Sequence, residues 1–199
     1  LSACGCRWGD RIVIAAAAPL PSALPILTMG AVPVFVDNAP DSFAFDIDDL
    51  QKALRQPVRA VIMVHNWGYP LDREGVVAVL SGQSIPLIED AAQAHGALTE
   101  NGFVGTQGLF GCFSTHDRKI LSTGEGGFVL TSSQSMAERI RQFVQLGYLQ
   151  ARSHGVNYKL SALQSALGLA RVAYMETQVR QRAANAKLLL DRVLCDEIS

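Results

Sequence analysis

The chain has little charge imbalance, no membrane-length apolar run and no signal-peptide pattern in its first residues, and each of these features argues against a class of protein. Its 17 lysines and arginines are matched by 18 aspartates and glutamates. The basic surface of a protein that binds nucleic acid or an anionic membrane is therefore not expected. Its apolar stretches end well short of the roughly 20 residues that cross a bilayer, and no basic segment precedes an apolar one at the start. We expect a cytoplasmic protein that binds neither nucleic acid nor membrane.

Cysteine is scarce and unevenly placed. The chain has four cysteines, Cys4, Cys6, Cys112 and Cys195, which is too few for the disulfide framework of a small secreted protein. The Cys-x-Cys near the start has no second pair that would complete a zinc site. We therefore expect reduced thiols and no metal centre. Hydrophobic residues, in contrast, make up 49% of the chain, which is enough for a single domain with one sizeable core over residues 1–199.

Runs typical of β-strands alternate with helical stretches along most of the chain, a pattern that favours a parallel sheet covered by helices on both faces. The predicted strands are residues 11–17, 32–37, 60–65, 86–90, 111–114 and 127–131. The predicted helices are residues 46–55, 72–80, 135–146 and about 161–194, with a further helix after the first strand that Pro21 and Pro25 interrupt. We expect an α/β fold with a mainly parallel sheet, followed by a long helix.

The long helix has a clear start and an apolar face. Ser161 and Gln164 have the spacing of a capping box, in which each side chain bonds to the backbone N–H of the other residue. Apolar residues then recur at helical spacing. They are Leu163, Ala166, Leu167, Ala170 and Tyr174. This spacing predicts that the face belongs to the core.

An acidic residue at a strand end is the first candidate for chemistry. Asp90 ends the apolar strand predicted at residues 86–90, and ligands of open α/β sheets bind at the carboxyl ends of the strands. A second interpretation is that Asp90 caps the N-terminus of a helix beginning at the Ala-Ala-Gln that follows. From this segment alone the two interpretations are equally good.

A lysine in a loop is the second candidate. Ser114 and Thr115 end a predicted strand, Lys119 follows, and the glycine-rich segment GEGG occupies residues 124–127. Hydroxyl groups at this edge can bind a phosphate, and a deprotonated lysine can form a Schiff base. Glycines let the backbone approach a ligand closely. The alternative is a solvated connection without chemistry.

These motifs occur in an order that resembles the DegT/DnrJ family of sugar aminotransferases, which are fold-type I enzymes that use pyridoxal phosphate. The segments that carry the resemblance are GAVPVFVD at residues 30–37, VHNWGYPLD at 64–72, EDAAQAHG at 89–96, GCFS at 111–114 with Lys119 after it, GEGG at 124–127 and NYKLS at 157–161. Together they cover nearly the whole chain. The resemblance implies the three-layer α/β/α large domain of that fold type.

Site roles follow from the resemblance residue by residue. Lys119 corresponds to the lysine that bonds to the cofactor, with His116 as a neighbour rather than a replacement; family members with histidine at the lysine position are dehydratases. Asp90 corresponds to the partner of the protonated ring nitrogen. Gln93 lies against the ring near its phenolic oxygen in the family, and Ser114 bonds to the phosphate. Asn157 corresponds to a loop residue that reaches the phosphate of the neighbouring subunit's cofactor, which implies a homodimer.

The resemblance implies transfer of an amino group from an amino acid, glutamate in most of the family, to a nucleotide-linked keto-sugar in aminosugar or polysaccharide biosynthesis. It also implies that residues 1–199 are the central part of the large domain. A first strand with a phosphate-binding turn would precede them, and a small domain would follow the long helix.

Two positions depart from the family pattern. Residues 15–21 read AAAAPLP where the family carries an aromatic residue stacked on the cofactor ring, and Lys159 stands where arginine is usual. A weakened or cofactor-free relative with a regulatory or assembly role is therefore the alternative. His65 and Trp67 are expected to shape a loop near the site rather than to do chemistry.

Overall fold

A six-stranded sheet forms the centre of the chain, and all its neighbouring strands are parallel except the last pair. The structure, a computed structural model, describes residues 1–71, 73–149 and 153–196. The strands are β1 Arg11–Ala15, β2 Val32–Val36, β3 Ala60–Val64, β4 Leu87–Asp90, β5 Leu98–Thr99, β6 Gly102–Phe103, β7 Phe110–Ser114 and β8 Gly127–Leu130. The sheet order is β2-β1-β3-β4-β7-β8, with β8 antiparallel to β7, while β5 and β6 form a separate hairpin. The six predicted strands are confirmed, and the hairpin has no counterpart in the sequence prediction.

Helices cover both faces of this sheet. They are α1 Leu20–Thr28, α2 Ile47–Ala53, α3 Glu74–Leu80, α4 Gln134–Val144, α5 Ala162–Val172 and α6 Met175–Asp196. Side chains alternate between the faces of a strand, so Ile12 and Ile14 of β1 pack with α1 and α4, and Val13 packs with α2 and α3. The three-layer α/β/α architecture predicted from the sequence is therefore confirmed.

Two helices differ from their predictions near the N-terminal end. Pro21 and Pro25 do not interrupt α1, which runs continuously through both. Pro21 lies in the first turn, where a backbone N–H has no partner within the helix, so a proline there costs little. The helix predicted from Asp72 is observed from Glu74, and Asp72 itself lies outside the described residues.

The single long helix predicted over residues 161–194 is wrong, because it is divided into α5 and α6. The capping box of Ser161 and Gln164 is present as predicted. At the end of α5 the backbone N–H of Tyr174 donates to the carbonyl of Arg171, three residues back instead of four. This tighter turn ends the α-helical ladder without a proline or glycine.

The apolar face of α5 is not part of the core. Leu163 is 85% exposed, and Leu167 and Tyr174 are also exposed. The helical spacing correctly places Leu163 and Leu167 on one face of α5, whereas Tyr174 lies in the turn after the helix, and all three side chains are exposed in the described part of the chain. The prediction that this face is buried is therefore wrong for the described chain.

Candidate active site

Four of the five predicted site residues line one cleft at the carboxyl edge of the sheet. The cleft has a volume of about 570 Å³, and its walls include Asp90, Gln93, Ser114 and Lys119. Asp90 ends β4, and Ser114 ends the neighbouring strand β7. Carboxyl ends of adjacent parallel strands meet at the same edge, which is where ligands bind in open α/β sheets.

Both carboxylate oxygens of Asp90 accept hydrogen bonds. The Ser22 hydroxyl donates to Oδ2 at 2.6 Å, and the backbone N–H of Ala92 donates to Oδ1 at 3.0 Å. No helix begins among residues 91–97, which form turns. The interpretation of Asp90 as a helix cap is therefore wrong. Its carboxylate is fixed at the cleft by a turn bond on one oxygen and by helix α1 on the other.

Gln93 is tied to the loop that follows β3. Its Oε1 accepts from the backbone N–H of Trp67 at 2.7 Å. The neighbouring Gly68 has a φ of +83°, and a Cβ there would lie 2.8 Å from the carbonyl oxygen of Gln93. Glycine is therefore required at position 68 for the two loops to approach this closely. This hydrogen bond uses the amide oxygen of Gln93 and does not involve its amide nitrogen.

Ser114 and Lys119 belong to one anchored loop between β7 and β8. The Ser114 Oγ accepts from the backbone N–H of His116 at 3.2 Å, which leaves the hydroxyl proton available to a ligand. The backbone N–H of Lys119 donates to the carbonyl of His116 at 2.9 Å. At the base of the loop, the hydroxyls of Thr115 and Thr123 bond at 2.7 Å. These bonds hold the loop that presents the Lys119 side chain.

Asn157 does not line this cleft. It is exposed, its Oδ1 accepts from the Lys159 ammonium group, and its backbone pairs with Gln145. The role implied for it, contact with a neighbouring subunit's cofactor, involves a second copy of the chain and stays a prediction.

The remaining walls of the cleft include two prolines and a thiol. Pro19 and Pro21 of the α1 entrance line the side where the family pattern has an aromatic residue, and Phe113 lines another part of the cleft. Burial and the nearby charge of Asp90 raise the pKa of the Cys112 thiol to about 11. Cys112 is therefore a protonated, unreactive group at neutral pH.

A buried histidine and a buried glutamate are hydrogen-bonded to each other beside the site. His65 and Glu89 are almost completely buried, and His65 Nε2 lies 3.2 Å from Glu89 Oε2. The other ring nitrogen, Nδ1, accepts from the backbone N–H of Leu71, so Nε2 carries the proton and donates to Glu89. His65 thus shapes the loop beside the site, as the sequence indicated.

Glu89 is the anchor of the loop that leads into β7. Its carboxylate accepts from the backbone N–H groups of Gly105, Gln107 and Gly108 at 2.9, 2.7 and 2.6 Å. Burial alone would raise the pKa of Glu89. The hydrogen bonds from His65 and from these backbone groups outweigh burial and hold the pKa below its usual value of 4.5.

We expect Glu89→Gln to lower the free energy of unfolding by about 3 kcal/mol or more, because the NH₂ group of the amide would face backbone N–H donors and leave them without an acceptor. Urea unfolding measures the loss. The control is Glu176→Gln, which alters the exposed ion pair of Glu176 with Arg180 and should cost less than about 1 kcal/mol.

The pH dependence of the effect tests the same assignment. A native pKa of Glu89 below its unfolded value adds stability that is present above pH 4.5 and is lost as the pH falls below it. The difference between wild type and Glu89→Gln should therefore narrow below pH 4.5, and a pH-independent difference would contradict the assignment.

Sequence reasoning missed the contact between Ser22 and Asp90. Ser22 is buried in the first turn of α1, 68 positions before Asp90. The predicted topology could have indicated this contact, because a helix that follows a parallel strand starts at the carboxyl edge of the sheet, where Asp90 also lies.

Comparison with known proteins identifies the family. The sequence profile of the DegT/DnrJ/EryC1/StrS aminotransferase family matches residues 1–195, and the chain belongs to this family. It is 33% identical to an L-glutamine:2-deoxy-scyllo-inosose aminotransferase of Micromonospora echinospora, covering 95% of this chain and 49% of that protein. It is 30% identical to the GDP-perosamine synthase of Escherichia coli O157:H7, covering 86% of this chain and 49% of that protein.

A solved structure supports the same fold. The aminotransferase from Psychrobacter cryohalolentis superposes with a TM-score of 0.88 at 27% identity, covering 96% of this chain and 52% of that one. The chain thus spans about half the length of the relatives that it matches. Among the described residues, no helix is both long enough and apolar enough to cross a membrane.

Proposed function

We propose that this chain forms the cofactor-binding core of a pyridoxal-phosphate aminotransferase that transfers an amino group from an amino acid to a nucleotide-linked keto-sugar. The observation that carries the proposal is the assembly of Asp90, Gln93, Ser114 and Lys119 around one cleft. Family membership supports the aminotransferase class, and the names of relatives support aminosugar biosynthesis.

The chemistry of these side chains fits pyridoxal phosphate. The cofactor needs a carboxylate for its protonated ring nitrogen, an amine for its aldehyde and hydroxyl or N–H donors for its phosphate. Asp90 supplies an oriented carboxylate, Lys119 supplies the amine, and Ser114 supplies a hydroxyl whose proton is free to donate. When bound, the cofactor supplies an electron sink for the carbanion that forms as a substrate carbon loses its proton.

The residues of the chain then have distinct tasks. Lys119 would hold the cofactor through its aldehyde carbon, and its Nζ, once freed by the amino donor, would take the proton from the donor Cα as general base and deliver it as general acid to the carbon that had carried the aldehyde. Asp90 would keep the ring nitrogen protonated, which preserves the electron-withdrawing effect of the ring. Ser114 would bind the phosphate, and Gln93 would lie against the ring near its phenolic oxygen.

We propose glutamate as the amino donor. L-glutamine appears in the name of one relative and is tested in parallel as a second donor. The test incubates the full-length protein with ¹⁵N-labelled donor and a panel of nucleotide-linked keto-sugars, and mass spectrometry detects the aminated product. Transfer of ¹⁵N to any panel member supports the proposal. Cofactor binding without transfer from either donor to any nucleotide-linked keto-sugar of the panel contradicts it.

A cofactor-free relative is the second candidate, and the prolines in the cleft wall favour it. Pro19 and Pro21 lack the aromatic face that the family pattern stacks on the ring. An absorbance titration with pyridoxal phosphate separates the candidates, because a Schiff base with a lysine shifts the absorbance band of the cofactor, whereas a protein that does not bond to the cofactor leaves the band where it is in the free cofactor. The homodimer and the cytoplasmic location remain predictions, for which sedimentation and cell fractionation are the measurements.

A further inference from the structure

The loop that follows β3 contains a tryptophan with a strained backbone. Trp67 has a φ of 53° and a ψ of 15°, the left-handed conformation that a bulky side chain rarely adopts. Its side chain is 75% exposed, so burial of the indole in the core does not account for the strain. Strain of this kind persists only where the surrounding structure imposes it, and it is concentrated at functional sites. The backbone at position 67 therefore indicates a function of the loop itself.

Hydrogen bonds hold the loop on both sides of Trp67. Before it, the amide nitrogen of Asn66, a residue that is only 4% exposed, donates to the carbonyl of Ala17 at 3.2 Å. After it, the backbone N–H of Leu71 donates to the buried ring of His65 at 3.1 Å. These bonds fix the loop without using the Trp67 side chain.

The fixed loop brings one backbone donor to Gln93. The Trp67 nitrogen lies 2.7 Å from the Gln93 Oε1, and Gly68 lacks the Cβ that would keep the two loops apart. An N–H group at this distance requires an acceptor, and the oxygen is the acceptor end of a glutamine amide. The contact therefore determines which way the Gln93 amide is turned.

The other end of the Gln93 amide is left for a ligand. Gln93 lines the active-site cleft, and its amide nitrogen has no hydrogen-bond partner among the described residues. An amide nitrogen donates and does not accept, so Gln93 presents a donor to the cleft. Without the bond from Trp67, the amide would be free to turn over and to present its oxygen instead.

We propose that Trp67 is a positioning residue, whose backbone N–H turns the Gln93 amide so that its nitrogen donates to the phenolic oxygen of the cofactor ring. The inference rests on the proposed function, which assigns this contact to Gln93, and it adds the group that determines which end of the amide makes the contact. A donor suits this oxygen, because the oxygen carries negative charge when the cofactor forms a Schiff base. An amide oxygen at the same place would repel it.

The first experiment tests the loop contact without the cofactor. Hydrogen exchange of the full-length protein reports whether the Trp67 N–H is hydrogen-bonded. Gln93→Leu removes the acceptor and should speed exchange of this N–H about tenfold, the loss expected for one hydrogen bond. Gln93→Glu keeps an oxygen acceptor and should keep the protection. Equally fast exchange in wild type and in Gln93→Leu would overturn the proposal.

The second experiment follows the absorbance band of the Schiff base with pyridoxal phosphate as the pH is raised. A donor to the phenolic oxygen stabilises its negative charge, which favours loss of the Schiff-base proton. Gln93→Leu should therefore raise the midpoint of the band by about one pH unit, since a charge-assisted hydrogen bond contributes roughly a factor of ten or more. Gln93→Glu should raise the midpoint at least as far, because its carboxylate accepts from Trp67 but has no proton to donate.

Trp67→Gly separates the backbone of position 67 from its side chain. Glycine keeps the N–H and adopts a positive φ without strain, so the midpoint should stay at its wild-type value. Gly68→Ala should raise the midpoint as Gln93→Leu does, because its Cβ would lie 2.8 Å from the Gln93 carbonyl oxygen. Both substitutions together should raise it no further. Gly82→Ala is the matched control, because Gly82 also has a positive φ, +75°, but its Cβ would meet no atom within 4 Å.

The other titratable side chains of the active-site cleft are the same in all these variants, so a shift of the midpoint reports on the Gln93 contact. They are His65, Asp90, Cys112, His116, Lys119 and Glu125. A midpoint that Gln93→Leu leaves unchanged would overturn the proposal. A shift in Trp67→Gly as large as that in Gln93→Leu would also overturn it, because the effect would then belong to the indole.

The outcome is separable from that of the proposed function. Transfer of ¹⁵N together with a midpoint that Gln93→Leu does not move would support the aminotransferase and overturn the positioning role. A protected Trp67 N–H in a protein that develops no Schiff-base band would support the loop contact, but it would contradict the aminotransferase and, with it, the role of the contact in cofactor binding.

Discussion

Replacement of Lys119 by arginine is expected to lower the rate of amino transfer by about 10²- to 10⁴-fold, the contribution typical of a general acid–base group. Arginine keeps the positive charge, but its guanidinium group stays protonated at any ordinary pH and neither bonds to an aldehyde nor moves a proton. The anchored loop between Ser114 and Thr123 depends on backbone and threonine hydroxyl bonds, so the variant should fold. Single-turnover kinetics with glutamate measures the loss.

Borohydride reduction tests the same residue without turnover. It fixes the bond between the cofactor and the lysine, and peptide mass mapping of the full-length protein should then locate the added mass on Lys119. Lys187→Arg serves as the matched control, because Lys187 is exposed on α6 and does not line the candidate active-site cleft. Labelling of another lysine, or full activity of Lys119→Arg, would contradict the assignment.

The central strands of the sheet, β1, β3 and β4, were predictable because they are almost completely buried. Strand β3 is five consecutive apolar residues, a run that only a central parallel strand buries completely. The β5–β6 hairpin was not predictable, because strands of two residues are too short for any periodicity.

The helices show a second limit of prediction from sequence. Periodicity correctly grouped Leu163 and Leu167 on one face of α5 but wrongly added Tyr174, which follows the end of that helix. Periodicity also cannot say whether another part of the molecule covers an apolar face. The division between α5 and α6 depends on one carbonyl accepting from residue i+3 instead of i+4. No helix-breaking residue marks that change.

The candidate site also has features that the sequence predicted and features that it did not. Asp90, Gln93, Ser114 and Lys119 lie in ordered motifs, and the topology brings all four to one cleft. The contact between Ser22 and Asp90 joins segments 68 positions apart in the chain, so no local pattern contains it. The roles of the four residues remain predictions that the substitutions test.

Asp90→Asn is the second substitution with a large expected effect. The substitution preserves shape, and an asparagine Oδ1 still accepts from Ala92, so the turn after β4 should persist. The neutral amide, however, does not stabilise a protonated ring nitrogen. We expect kcat to fall by at least about 10²-fold, comparable to the loss of one preorganised electrostatic group in other active sites.

Ser22→Ala is the control that separates charge from orientation at Asp90. It removes the 2.6 Å bond to Oδ2 but leaves the carboxylate group in place, so its effect on kcat should be smaller than that of Asp90→Asn. Thermal unfolding should show little change for Asp90→Asn, because Asp90 lines the open cleft and its turn bond is retained. If Asp90→Asn kept wild-type turnover but unfolded at a lower temperature, Asp90 would serve the fold alone, and the cleft would need another partner for the ring nitrogen.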